Sequence, residues 1–572
     1  MSIDIETYRL KAQEAIEYVF VKEYHNSLGI PMPIVKMLLP DDANYSTGQY
    51  YITIDKTWQI HLNFGKLPIS YHEFQNEVKV LTRHEIEHYM CCPFDVITHF
   101  RMLKRIRDVY YKHFSHLGIN IKYACGAISN QAADIIVDTK NYYRHSKETL
   151  KSEIDWIKIG ANISACPRHC KLMFLTKEAI WKEDLGINET DPEFLKIVHQ
   201  LADSFTKNGI EDKSSFLDKV EEYAEIFFKL YVEDQKNPQQ SSQQGSQQQS
   251  GQQGSQQQSG QQGSQQQSGQ WGVGRPKDGD EHGNAFVFAD PDKVKEAIEV
   301  LAEETSVEEF IDLLAIAGII GMSDKQKGVL WFNVQSANII PIVEFSNTGN
   351  KSSYTYPSVW RIGDPIEELD LMLTYMTSPR LIPGMTTKKW EYVSNDDNGT
   401  ESKQMDLLLV VDTSGSMGSA MKESANMHQA VLASYGILSY FESTKSKVAF
   451  IGFSDKIDAY VDWSDKYDDV RERLLTNGHG GTKFPISRIK STLDVRSRDL
   501  VTVLITDGDL GNINESVSYF RDYLNDDNKL YIFLLGGSKS LHSYEPLKNI
   551  GAKIYNANNA NEFCDMVLTD ME

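Results

Sequence analysis

The chain has 572 residues, of which 41% are hydrophobic and 24% charged, and its formal net charge is −22. A chain of this length exceeds what one hydrophobic core normally supports, so we expect two or three domains. The negative charge argues against binding to nucleic acid or to an anionic membrane, because both need clustered lysine and arginine.

The first twenty residues, MSIDIETYRLKAQEAIEYVF, carry acidic residues early and contain no uninterrupted apolar stretch. They fit neither a signal peptide nor a membrane span. Six cysteines in a chain of this length do not form a disulfide framework, which favours a reducing compartment, and we predict a cytoplasmic protein. Cys166 and Cys170, in CPRHC, are spaced to share a metal ion, but no second pair accompanies them.

Residues 1–235 are expected to form a helix-rich α+β domain with one hairpin, in the sequence YYITIDKTWQIHLNF. Ser70 followed three residues later by Glu73 has the pattern of a capping box, and Pro93 is a stop signal. Apolar residues recur at helical spacing between them. The sequence therefore predicts a helix from the capping box to the proline.

The sequence HEIEH, residues 84–88, lies within this predicted helix. Because four residues make about one helical turn, His84 and His88 project from the same face and are able to bind one metal ion. Glu85 lies beside them, where it is able to take a proton from a bound water. The same pattern also occurs in ordinary charged helices, so the interpretation as a metal site requires a third protein ligand.

The best candidate for that ligand lies in SNQAADIIVDTKNYYRH, residues 129–145. Asp134 and Asp138 are one helical turn apart and are flanked by small and aliphatic residues. A carboxylate close to an apolar face is costly unless it is paired or coordinates a metal. His99 is an alternative third ligand, and Asp95 is a weaker one.

The combination of HEIEH with AAD resembles the gluzincin class of zinc peptidases, in which a second helix carries the third ligand. The resemblance implies that His84, His88 and Asp134 bind Zn²⁺ and that Glu85 is the catalytic base. It also implies that Asp138 bonds to one of the two histidines and orients it. Many gluzincins have a glutamate at the position of Asp134. An aspartate in an AAD setting is similar to some bacterial families in which a peptidase domain is joined to a von Willebrand factor A (VWA) domain.

Three copies of the sequence QQGSQQQSG follow one another over residues 243–251, 252–260 and 261–269. A repeat without aliphatic or aromatic side chains has nothing to bury, so it cannot offset the entropy lost on ordering. We predict a flexible linker over residues 236–275. A mixed, helix-containing connecting region is expected to follow it over residues 276–403.

From residue 404 to residue 572 the pattern becomes that of an α/β domain. Four short apolar runs, DLLLVVD, SKVAFIGFS, DLVTVLITD and KLYIFLLG, alternate with helical segments. This alternation predicts a doubly wound, Rossmann-like parallel sheet with helices on both faces.

Oxygen-bearing side chains follow two of these runs and one loop: DTSGS after the first run, GHGGTKF in the loop, and the aspartate that ends VTVLITD. Open α/β sheets bind ligands at the ends of their strands, and an all-oxygen donor set suits Mg²⁺. The residues Asp412, Ser414, Ser416, Thr482 and Asp507 resemble the metal-ion-dependent adhesion site (MIDAS) of VWA domains. In that family the ion keeps one position open for a carboxylate supplied by a partner.

A zincin-like domain joined to a VWA domain resembles a family of predicted VWA-containing metallopeptidases associated with MoxR-type AAA+ ATPases. The resemblance implies a zinc-dependent peptidase that acts on a protein or peptide and recruits the ATPase or the substrate through a MIDAS Mg²⁺. The chain contains no GxxxxGKS or GxxxxGKT loop, so ATP hydrolysis would have to come from a partner. The alternatives are a non-catalytic adaptor of a AAA+ machine and, less favoured, a subunit of a metal chelatase.

Overall fold

The protein divides into two compact units. A computed structural model describes residues 5–42, 50–54, 58–64, 70–160, 163–236, 291–319, 322–339, 354–360, 388–393, 405–496, 499–508, 510–526, 528–535 and 542–557. The units meet in the sequence between Lys327 and Gly328. The first is rich in helices and the second contains a six-stranded sheet, which confirms the prediction of a multidomain chain at this coarse level.

The first unit combines a small sheet with many helices. Its helices are α1 (Ile5–Glu17), α2 (Tyr71–Met90), α3 (Val96–Val109), α4 (Ile121–Gly160), α5 (Arg168–Trp181), α6 (Pro192–Thr206), α7 (Phe216–Lys236), α8 (Pro291–Glu304) and α9 (Val307–Ile316). Its strands are β1 (Ile34–Met37), β2 (Tyr50–Ile54) and β3 (Gln59–Phe64), in the order β1-β3-β2. Strands β2 and β3 pair antiparallel, so the predicted hairpin is confirmed.

Helix α2 begins where the sequence predicts. The Ser70 hydroxyl accepts a hydrogen bond from the Glu73 backbone N–H at 3.3 Å, and the two side chains are joined at 2.9 Å. Phe74, Val78 and Ile86 are fully buried in a core shared with α1 and β3. Because these residues fix the rotation of α2 about its axis, they also fix the direction in which the HEIEH face points.

A buried carboxylate ties α2 to α4. Glu87 is 1% exposed. It accepts hydrogen bonds from the Tyr24 hydroxyl and from Arg144 Nη1, each at 2.9 Å, and pairs with Lys140 Nζ at 2.8 Å. Since a buried charge is stable only when it is paired, this network favours one register of α2 on α4. That register sets the distance between HEIEH and AAD.

The helices that follow the repeat belong to the first unit. Helices α8 and α9 pack on α3, and α9 also packs on α4. Leu301 and Phe310 are buried there, and Arg107 pairs with Glu309 at 3.1 Å and with Asp312 at 2.9 Å. The sequence analysis placed both helices in a separate connecting region. A helical pattern alone does not reveal which core the apolar face joins, and here the chain returns to the unit that it left after α7.

The second unit is built around the larger sheet. Its six strands are β6 (Asp406–Asp412), β7 (Val448–Phe453), β8 (Ile457–Ser464), β9 (Leu500–Thr506), β10 (Lys529–Leu535) and β11 (Lys553–Ala557). Their order is β11-β10-β9-β6-β7-β8, and a separate antiparallel pair is formed by β4 (Tyr354–Val359) and β5 (Lys388–Val393). The helices are α10 (Asp324–Ile339, which crosses the division), α11 (Asn426–Ser443), α12 (Tyr467–Leu474), α13 (Ile486–Leu493), α14 (Val517–Asn525) and α15 (Glu545–Lys548).

The four predicted apolar runs form β6, β7, β9 and β10, and these strands are parallel neighbours. The sheet is not parallel throughout, because the edge strand β8 pairs antiparallel with β7. On one face, Leu408 and Val410 join a core with Ile489 of α13, Phe520 of α14 and Leu547 of α15. Helix α11 also packs on β6, and its buried residues lie outside that core, so helices cover both faces.

Within the residues that the structure describes, no helix has the length and apolar character needed to cross a membrane.

Candidate metal sites

Three side chains from α2 and α4 bring their ligand atoms together. The Nε2 atoms of His84 and His88 are 3.1 Å apart, and Asp134 Oδ1 lies 3.5 Å from the former and 3.1 Å from the latter. Among the described residues, this is the one group of three or more His, Cys, Asp or Glu whose ligand atoms all lie within 4.8 Å of one another. The structure therefore brings together the three residues that the sequence pattern selects.

The Oδ1 atom of Asp134 shows that this cluster fits a cation. It is buried and faces the Nε2 atoms of His84 and His88, and among the described residues no hydrogen-bond donor from outside the cluster reaches it. The two imidazole nitrogens that face it are also potential ligands. Two nitrogens and one carboxylate oxygen make up a donor set that zinc takes in hydrolases, with the fourth position left for water.

The hydrogen bonds of Nδ1, the ring nitrogen that points away from Asp134, determine which nitrogen of His84 and His88 carries the hydrogen. His84 Nδ1 lies 2.6 Å from Asp138 Oδ1, and His88 Nδ1 lies 2.9 Å from the carbonyl oxygen of Cys92. A carboxylate and a carbonyl only accept, so each Nδ1 donates. In the tautomer with its hydrogen on Nδ1, the Nε2 lone pair of each ring faces Asp134, and this is the tautomer that metal ligation needs.

The predicted contact between Asp138 and one of the histidines is thus present, on His84. Asp134 is also held from behind, because Asn130 Nδ2 donates to Asp134 Oδ2 at 3.1 Å. Asn130 precedes Asp134 by four residues, so the helical spacing in the sequence was a usable signal for this contact. The sequence analysis did not include it.

When no metal is bound, the neighbouring carboxylates favour the protonated form of His88. Burial lowers the pKa of His88, but the carboxylates of Asp134 and Glu85 outweigh this effect and raise it to about 9. Burial raises the pKa of Asp134, but the facing His88 and His84 outweigh it and hold that pKa below its ordinary value. A metal ion therefore has to displace a proton from the cluster at neutral pH.

Glu85 follows His84 on α2 and is half-buried, whereas His84 and His88 are only 4% and 2% exposed. Its charge is one of the causes of the raised pKa of His88, which places it within electrostatic reach of the cluster. A carboxylate with access to solvent, next to a buried group of metal ligands, is suited to act as a general base.

The alternative ligands have other surroundings. Asp95 caps α3, where its carboxylate accepts from the Thr98 backbone N–H at 2.7 Å. His99 is buried in α3 and is not a member of the cluster. Cys166 and Cys170 are free thiols, and neither belongs to a three-residue metal group within the described part of the chain.

A buried ammonium lies behind Asp138. Lys177 is 2% exposed, and its Nζ donates to Asp138 Oδ2 at 3.0 Å and also contacts Glu153. Burial opposes the charge of this lysine, but the two carboxylates outweigh it and raise its pKa, so the ammonium stays protonated. The sequence analysis missed Lys177, although a lysine within the apolar run LMFLTKEAIW was a usable signal.

A second group of polar side chains lies at the carboxyl ends of β6 and β9, which are parallel neighbours. Asp412 Oδ1 accepts from the Ser414 backbone N–H at 2.9 Å. The hydroxyls of Ser414 and Ser416 are 3.1 Å apart, and Ser416 donates to Asp507 Oδ1 at 3.0 Å. Four of the five residues that resemble a MIDAS are therefore linked in one continuous chain of contacts.

The fifth residue, Thr482, lies on the loop between α12 and α13. This loop approaches the DTSGS segment, because the Gly415 N–H donates to the Gly480 carbonyl at 3.3 Å. A Cβ atom at Gly478 would lie 2.6 Å from the carbonyl oxygen of Thr413 and 2.7 Å from its hydroxyl. The close approach of the two segments therefore requires a glycine.

Two carboxylates share the second site. Burial raises the pKa of Asp412 and the charge of Asp507 adds to this, while hydrogen bonds from Thr506 and Ser414 oppose it. Thr506 donates to Asp412 Oδ2 at 2.6 Å, and Asn426 donates to Asp507 Oδ2 at 3.1 Å. Sequence reasoning missed Thr506 and Asn426. Adjacent carboxylates and hydroxyls form an all-oxygen set of the kind that Mg²⁺ prefers.

In comparisons with known proteins, no family model matches the chain and no curated protein matches it.

Proposed function

We propose that the protein is a zinc-dependent peptidase whose C-terminal unit binds a partner through Mg²⁺. The observation that carries the first part is the convergence of His84, His88 and Asp134, with ligand atoms 3.1–3.5 Å apart. The far nitrogens of both rings donate to Asp138 and to the carbonyl of Cys92, as ligand histidines require. This arrangement supports the resemblance to gluzincins.

A zinc ion held by these residues would polarise a peptide carbonyl and lower the pKa of a bound water to about 7. Glu85 would accept the proton of the attacking water and pass it to the leaving amine. Among the described residues, β2 is an edge strand of the small sheet, and an edge strand is a position at which an extended peptide is able to pair. The proposed substrate is therefore a protein or peptide in an extended conformation.

The second unit supports a binding role. Asp412, Ser414, Ser416 and Asp507 are in contact at one sheet edge, with the loop that bears Thr482 beside them. This set, on a mostly parallel sheet covered by helices, supports the proposal of a VWA domain with a MIDAS Mg²⁺. The proposed partner is a MoxR-type AAA+ ATPase that supplies a carboxylate to the ion.

The test compares hydrolysis of an unfolded protein substrate by the zinc-loaded wild type, Glu85→Gln and Glu77→Gln, with zinc content measured on every sample. Glu77 lies two turns earlier on α2 and serves as the matched control. We expect Glu85→Gln to lose activity by roughly 10²–10⁴-fold with zinc retained, because it removes only the general base. Unchanged activity of a zinc-loaded Glu85→Gln would overturn the proposal.

Each assay is run with and without a MoxR-type AAA+ ATPase. A wild type that holds zinc and hydrolyses nothing under either condition would favour the alternative, a non-catalytic adaptor.

A further inference from the structure

A buried group of three charges lies behind the proposed zinc ligands. Lys177 of α5 lies between Asp138 and Glu153, which are both on α4 but on opposite sides of the kink at His145. The side chains of Lys177, Asp138 and Glu153 are 2%, 9% and 12% exposed. No step of the proposed reaction uses Lys177, so its burial requires another explanation.

The two oxygens of Asp138 have different partners. Oδ1 accepts from His84 Nδ1 at 2.6 Å, and Oδ2 accepts from Lys177 Nζ at 3.0 Å. A buried carboxylate without a charged partner is costly, and the ammonium supplies the opposing charge. With one oxygen held by Lys177, the carboxylate cannot rotate without breaking a charged hydrogen bond, so its other oxygen stays directed at the ring.

Carboxylates that bond to a ligand histidine fix the orientation and the basicity of the ring. The hydrogen bonds of Lys177 go to Asp138 and Glu153 and not to a proposed ligand, so Lys177 is able to affect the metal in two ways: by its charge, which acts at a distance, and by its contact with Asp138. By charge alone, a nearby ammonium would weaken the binding of a cation. If Lys177 increases the affinity for the metal, it must therefore do so through its hydrogen bond to Asp138.

We propose that Lys177 is a positioning residue of the zinc site, which acts through Asp138 to hold His84 in the orientation that ligates the metal. The inference rests on the proposed zinc site and adds a residue that neither motif contains. Lys171, also buried on α5, offers a matched comparison. It pairs with Glu189 at 2.8 Å and has no contact with Asp138.

The test measures zinc affinity on the full-length chain by competition with a chromophoric chelator. The variant Lys177→Met/Glu153→Gln removes one positive and one negative charge together, so the net charge near the metal does not change. We expect its zinc affinity to fall roughly 10–100-fold, the effect typical of residues that orient ligands. The control Lys171→Met/Glu189→Gln should stay within about threefold of the wild type.

A second measurement distinguishes positioning from a general loss of structure. In an Asp138→Asn background, the same Lys177→Met/Glu153→Gln change should have no further effect on zinc affinity, because the residue through which Lys177 acts is already altered. An equal loss in both backgrounds would mean that Lys177 only supports the fold, and would overturn the inference. Circular dichroism on each metal-free variant confirms that it is folded.

If the double variant does not fold, Lys177→Gln keeps a donor and removes the charge, and should weaken zinc binding at least threefold. Wild-type affinity in the folded double variant or in Lys177→Gln would overturn the inference and leave the proposed peptidase intact. A wild type that binds no zinc would overturn both.

Discussion

Addition of zinc to the metal-free chain at pH 7 should release about one proton from His88. The pKa of this residue is raised to about 9, so nearly every molecule carries the proton before the metal arrives. Zinc and the proton compete for the same Nε2 atom, because Nδ1 is already committed to the carbonyl of Cys92. The apparent zinc affinity should therefore fall about tenfold for each pH unit below 9, or about 100-fold from pH 8.5 to pH 6.5.

Isothermal titration calorimetry in two buffers of different ionisation enthalpy gives the number of protons released. Chelator competition at several pH values gives the slope of affinity against pH. Release of no proton at pH 7, with an affinity that does not change between pH 6.5 and 8.5, would contradict this prediction. His88 would then be neutral in the metal-free protein, and its contacts with Asp134 would not stabilise its charged form.

The same proton should stabilise the metal-free fold. The folded pKa of His88, about 9, lies above the ordinary value of 6.5. Its contribution is therefore fully present below pH 6.5 and is lost as the pH rises through 9, which amounts to about 3 kcal/mol. Urea unfolding with a chelator present, at pH 6 and at pH 9.5, measures this difference. His88→Gln should lose most of it, whereas substitution of the exposed His113 should not.

Three further predictions concern the second site and the repeat. Gly478→Ala should weaken Mg²⁺ binding in a Mg²⁺ titration, because the added Cβ would collide with the DTSGS segment at a cost of about 1–3 kcal/mol. Gly481→Ala is the control, because a Cβ at Gly481 would meet open space. The proposed Mg²⁺ site predicts that Mg²⁺ raises the melting temperature of the wild type, that Asp412→Asn abolishes this rise, and that substitution of the exposed Asp522 preserves it. The repeat lies outside the described residues, and its sequence predicts a linker; deletion of residues 243–269 should then change the free energy of unfolding by less than about 1 kcal/mol, since halving the length of a loop alters its closure entropy by only about 0.6 kcal/mol. A larger loss would show that the repeat supports the fold.

Local patterns in the sequence were sufficient for the elements that carry both sites. The capping box at Ser70 and the periodic apolar residues predicted α2, and the run of four apolar segments predicted β6, β7, β9 and β10. The spacing within HEIEH and AAD placed the ligand atoms on one face of each helix. Their convergence then followed from the packing of α2 on α4, which the sequence suggests only by resemblance.

Contacts between distant segments were not predictable in the same way. The edge strands β8 and β11 have half-exposed residues and lack the fully apolar character of the central strands. The hydrogen bonds that Lys177, Thr506 and Asn426 donate to Asp138, Asp412 and Asp507 join residues that are 39 to 94 positions apart in the sequence. No local pattern records such a pairing, because it arises only when separate helices and strands pack together.

The most direct test of the proposed function is the zinc content per chain, measured by elemental analysis after mild chelation. Wild type, Asp134→Ala and the surface control Asp203→Ala should be compared under the same conditions. The three-ligand site predicts about one zinc per chain in the wild type and the control, and a clear loss in Asp134→Ala. Absence of zinc from the wild type would contradict it, and HEIEH would then be a charged turn of an ordinary helix.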